Sequence, residues 1–138
     1  MASELRVNTL KDASGNNSIA TSFVAGGSAK AWANLNGAGT VALRDSLNIS
    51  GLTDNGTGDY TTSFSNALAN TNYSFLTCNS DDATTSGVST GYAYGVWKVG
   101  TNASVYSTGS MRFQMGYPSN QNLYDQKFVN TNVHGDLA

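Results

Sequence analysis

The fold class read from the sequence is all-β: an antiparallel β-sandwich or jelly-roll-like domain preceded by an extended N-terminal arm. Three observations lead there. Of 138 residues, 63 are Asn, Ser, Thr or Gly, types that compete with helical hydrogen bonding or lose much backbone entropy in a helix. Short runs of alternating apolar and polar residues recur between turn signals, as in strands buried on one face. No stretch places apolar residues at convincing helical spacing.

The first such run is Leu5, Val7 and Thr9, alternating with Arg6, Asn8 and Leu10. Asp12 to Asn17 breaks it, with Gly15 and two asparagines able to turn the chain. Ser28 to Leu35 alternates Ala29, Ala31 and Ala33 with Lys30, Trp32 and Asn34, and Asn36-Gly37 follows as a hairpin turn pair. Val41 and Leu43, then Leu47 and Ile49, mark two further strands. Asp54-Asn55-Gly56-Thr57-Gly58-Asp59 is the clearest turn in the chain. Tyr60, Thr62 and Phe64 share a face of the next strand, and Tyr73, Phe75 and Thr77 a face of the one after. Tyr92 to Val99 reads as a strand, as do Met111 to Tyr117 and the closing segment Phe128 to His134. Pro118 falls just past a strand, where its missing N–H costs little.

The apolar content divides the chain unevenly. Between Lys11 and Gly27 only Ile19, Phe23 and Val24 stand out, too little to offset ordering costs of roughly 1–2 kcal/mol per residue. Residues 1–50 are therefore expected to form the arm and its assembly strands, and residues 51–138 an independently folding sandwich. The small side chains at 29, 31 and 33 suit close approach of another copy; a loosely packed edge strand accounts for them as well.

Composition excludes several function classes. The net charge is −2 with 12% charged residues, so no basic surface is available for phosphate backbones and nucleic acid is not an expected partner. No segment approaches the ~20 apolar residues of a bilayer span, so no membrane partner is expected. Met1 to Thr9 lacks the basic start and apolar run of a signal peptide, which points to assembly in a cytoplasm. Cys78 is the single cysteine and His134 the single histidine, one ligand of each type where zinc needs several.

The remaining chemistry is equally thin. No G-x-S-x-G or phosphate-binding motif accompanies His134 or Gly26-Gly27. Cys78, which alternates with the inward row of its strand or lies just beside it, is expected to be a packed, inert thiol. Asp54, Asn55, Thr57 and Asp59 superficially suggest a calcium loop, but position 65 is Ser where an EF-hand needs Glu. A tight Asx turn is the expected reading. Asp81-Asp82 reads as a solvated loop. Tyr92, Tyr94 and Trp97 form the densest aromatic cluster, flanked by Ser86 to Thr90. Stacking on a sugar and ordinary cross-strand packing both explain them. No catalytic, metal or cofactor-binding residue is assigned, and no cofactor or enzymatic activity is expected.

Several stretches resemble modules of tail-fibre and other virion proteins of marine bacteriophages, notably those infecting cyanobacteria. They are Leu5-Arg6-Val7-Asn8-Thr9-Leu10-Lys11-Asp12, Gly27-Ser28-Ala29-Lys30-Ala31-Trp32, Gly39 to Ser46, Asp54 to Thr61, Asn70-Thr71-Asn72-Tyr73 and Phe128 to Gly135. These are packing and turn motifs. The resemblance implies a non-enzymatic virion protein, a short homotrimeric fibre-type module. Its arm would attach to other virion proteins and its sandwich would face a host glycan or receptor. A capsid decoration protein is the alternative, and a carbohydrate-binding lectin module a third reading.

Overall fold

The computed structural model describes residues 3, 6–80, 105–116 and 123–138. The chain is an antiparallel all-β sandwich carrying a small N-terminal module. The expected strand Tyr92 to Val99, the Asp81-Asp82 loop, the aromatic cluster and Pro118 lie outside the described residues.

The N-terminal module is a hairpin of β1 (Thr9–Lys11) and β2 (Ser18–Ala20), followed by a helix α1 (Thr21–Gly27). The Asp12 carboxylate builds the hairpin turn by accepting hydrogen bonds from the Asn16 amide at 3.0 Å, the Ser14 hydroxyl at 3.0 Å and the Asn17 side chain at 2.7 Å. The Thr21 hydroxyl and amide bind back to Asn8 O at 3.2 and 3.0 Å, fastening the helix to the hairpin. This corrects two expectations. The segment is folded on itself, so the arm is not extended, and it contains a helix. Seven residues ending in Gly26-Gly27 are too few to display an apolar period, which explains why the pattern was invisible.

The sandwich begins at β3 (Ala31–Asn36), which turns through Gly37 to Val41 into β4 (Ala42–Leu47). Asn48, with φ of 56°, then carries the chain from one sheet to the other. Its side chain accepts from the Asn66 amide at 2.7 Å and donates to Asn66 O at 3.0 Å. The hairpin of β5 (Ile49–Gly56) and β6 (Asp59–Phe64) follows, then β7 (Ser74–Ser80), β8 (Ser110–Gln114) and β9 (Phe128–His134). One sheet has the order β4-β3-β9-β7 and faces a three-stranded sheet β5-β6-β8.

Alternation decides what each strand buries. Ala31, Ala33 and Leu35 of β3 and Val129, Thr131 and Val133 of β9 point inward from the first sheet. Tyr60, Thr62 and Phe64 of β6 and Met111 and Phe113 of β8 meet them from the second. Phe75 of β7 and Phe113 touch across the sheets, ring centroids 5.5 Å apart, and Tyr60 adds a second ring 5.9 Å from Phe113. Burial pushes the Tyr73 hydroxyl up to about 12.

The register corrects the expected boundary at residue 51. Five positions of β3 pair with β9, from Ala31 opposite Val133 to Leu35 opposite Val129. A strand expected in the arm thus lies in the middle of the sheet. Ala31 and Ala33 are 0% and 2% exposed, filled in by the chain's own core, so the expected intersubunit contact cannot involve them in the folded chain. Of that row only Ala29 remains half-buried.

One end of the sandwich is closed by residues 123–127. The Asp125 carboxylate accepts from the Tyr60 hydroxyl at 3.0 Å and the Gly58 amide at 2.7 Å, while Tyr124 N donates to Met115 O at 3.0 Å. Burial first, then the bond and charge of Asp125, push the Tyr60 hydroxyl far above the ordinary phenol range. Two glycines permit this approach. A Cβ on Gly37 would lie 2.7 Å from Gln126 O, and one on Gly58, whose φ is +62°, would lie 2.5 Å from Met115 O.

Candidate interaction surfaces

The acidic turn holds itself together and offers no cage. Asp54 Oδ1 accepts from the Gly56 amide at 2.9 Å, an Asx turn. Asp59 is 6% exposed and faces Arg112, which donates from Nε at 2.9 Å and Nη2 at 2.8 Å. Gln114 Nε2 adds a bond at 2.8 Å and Asn55 Nδ2 one at 3.3 Å. The carboxylate is thereby surrounded by donors. Burial opposes its charge, but the Arg112 and Gln114 bonds, the Arg112 charge and Asn55 prevail and hold it below the usual carboxylate range. Among the described residues no three His, Cys, Asp or Glu side chains gather where a metal ion would sit.

Register also separates the two reactive side chains. His134 pairs with Ser74 and Cys78 with Asn130, both at outward positions. Four residues along a strand is about 13 Å, so they form no thiol–imidazole pair. Cys78 is exposed, which corrects the expected packed thiol. The inward row of β7 is Phe75 and Thr77, and Cys78 takes the opposite parity.

The outer face of the four-stranded sheet carries an uncharged patch of Trp32, Asn34, Asn130, Asn132, Leu76 and Cys78. Asn34 Nδ2 donates to Asn130 Oδ1 at 2.5 Å, whereas Asn132 Oδ1 is buried with no partner. Leu76, Cys78, Asn130 and Asn132 line a shallow groove there. The alternating asparagines of Asn34-Leu35-Asn36 and Asn130-Thr131-Asn132 were the sequence signal for this face.

A second surface was harder to anticipate. Among the described residues the exposed large apolar side chains are Val7, Leu10, Ile19, Phe23, Val24, Leu47, Leu76 and Leu137. The first five belong to the N-terminal module, with Phe23 at 72% the most exposed of all. Leu47 and Leu137 line an open cleft of about 530 Å³ beneath α1, together with Ala25 and Ala29. Lys30, at the same cleft, donates to Ala25 O and to Ser28 O and Oγ at 3.0 and 2.8 Å.

No family model, curated protein or solved structure matches the chain. Its surfaces must therefore be read from their own chemistry. Among the described residues no helix is long and apolar enough to cross a membrane.

Proposed function

We propose that this chain is a non-enzymatic structural protein of a bacteriophage particle, a short fibre-type module that assembles through its N-terminal segment and displays the sandwich outward. The observation that carries the reading is the concentration of exposed apolar side chains in residues 7–24, on a module none of whose strand or helix residues is buried. A soluble chain gains nothing from Phe23 in water; an assembly element gains its burial. The resemblance of the turn and strand motifs to phage virion modules supplies the particle. The sandwich supports a structural role through its packing: the carboxylate at Asp59 is consumed by Arg112 and Gln114, and His134 and Cys78 stand apart.

Mass spectrometry of purified particles tests this directly. The chain is expected at a copy number comparable to other fibre or decoration proteins, and host polysaccharide incubated with the pure protein is expected to stay intact. Depolymerisation abolished by replacing one acidic residue would overturn the non-enzymatic reading. The amide-rich outer face with Trp32, bordered by Asp45 opposite Asn34, suits contact with a host glycan, whose hydroxyls pair with amides and whose apolar faces stack on an indole.

A further inference from the structure

We propose that the exposed apolar side of the N-terminal module seats in the cleft beneath α1 of a second copy, so that chains join head to tail. The inference rests on reading the module as an assembly element and names what it assembles on.

Among the described residues, seven of the eight exposed large apolar side chains fall into two places, the module and the lining of the cleft. The two are complementary in shape: Phe23 projects from α1, and the cleft is a recess. They cannot satisfy each other within one chain. Ala25 lines the cleft, and Phe23, two positions earlier, points about 200° away around the helix. Two polar groups at the cleft are engaged within the chain, Lys30 by the carbonyls of Ala25 and Ser28 and Asn48 by the backbone of Asn66. Leu47, Leu137, Ala25 and Ala29 give an occupant its apolar contacts, with the Asp136 carboxylate beside them.

On the module's side, Val7, Leu10, Ile19, Phe23 and Val24 present on the order of 500 Å² of surface at their exposures, close to the apolar share of one side of a standard interface, where each partner contributes about 800 Å². The cleft answers with Leu47 and Leu137, each about half exposed, and with Ala25 and Ala29, so Phe23 is the anchor and the rest of the module borders it. A surface that meets a different surface on its neighbour is heterologous, and such contacts end in rings when the rotation closes.

Sedimentation velocity on four proteins tests this: wild type, Phe23→Glu, Leu137→Glu and Leu76→Glu, each first shown by circular dichroism to keep its β signal. Wild type and Leu76→Glu are expected to be oligomeric at micromolar concentration. Phe23→Glu and Leu137→Glu are each expected to be monomeric, association weakening on the order of 30- to 1,000-fold as for loss of a buried anchor. Mixing those two should restore a heterodimer, because one has an intact cleft and the other an intact module. A monomeric wild type would overturn self-association while leaving the particle assignment to the mass-spectrometric test. Loss of assembly in Leu76→Glu, an oligomeric Leu137→Glu, or no rescue on mixing would each overturn the head-to-tail placement.

Discussion

Removing residues 1–50 should abolish folding, whereas removing residues 1–28 should not. The longer deletion takes away β3 and β4, and with them the neighbour of β9 over five paired positions. Leu35, 0% exposed, represents about 1.5–3 kcal/mol of burial. The two buried alanines and the partly buried Val41 and Leu43 add roughly as much again. The β9 amides and carbonyls that had faced β3 lose partners worth about 1 kcal/mol each. The total, on the order of 5–10 kcal/mol, matches the entire net stability of an ordinary domain. The shorter deletion removes the hairpin and helix, none of whose residues is buried. Urea titrations followed by far-ultraviolet circular dichroism would read both. A cooperative transition of unchanged midpoint in the 51–138 fragment would refute the assignment of β3 to the core.

Three further outcomes are expected. Gly58→Ala forces a Cβ against Met115 O at φ +62° and should cost about 1–3 kcal/mol, read as a lower urea midpoint; an unchanged midpoint would mean that residues 123–127 do not close on Gly58. Asp59 is held below the ordinary carboxylate range, so its contribution is complete above the unfolded value near ~3.9 and is lost as pH falls through the folded one. Asp59→Asn should therefore flatten the fall in melting temperature below about pH 4, and an identical acid limb in both proteins would count against the Arg112 pairing. Cys78, exposed on β7, should react with a thiol reagent in the native state at nearly the rate seen in urea, where a buried thiol would be protected many-fold.

Much of the sandwich was legible because alternation is written directly into strands that bury one face. Tyr60, Thr62 and Phe64, and Met111, Phe113 and Met115, share faces in the sequence pattern and are all buried; Tyr117, the last of the second row, lies outside the described residues. The closing strand Phe128–His134 was read with the bounds it has. The central place of β3 is not legible, for a physical reason. Alanine buries little area, so Ala31 and Ala33 gave no hydrophobic signal of a central strand, and partner choice is a tertiary property that the strand itself does not display. Cys78 has the parity that the sequence displays, alternating with the inward row, and that parity faces outward, so the thiol is exposed where residue type alone suggests a packed one. The module was misread for a different reason: three-residue strands and a seven-residue helix are shorter than the windows in which either periodicity becomes visible. The module's exposed side chains are legible in the sequence as the few apolar residues of an otherwise polar stretch; what their surface faces is not.

The measurement that bears most directly on the proposed role is immunogold labelling of intact particles with an antibody raised against the sandwich. Label is predicted in several copies on every particle, clustered on the tail for a fibre-type module or spread over the head for a decoration protein. Particles that stay unlabelled, while the same antibody finds the chain only in the lysate of infected cells, would contradict the assignment to the virion.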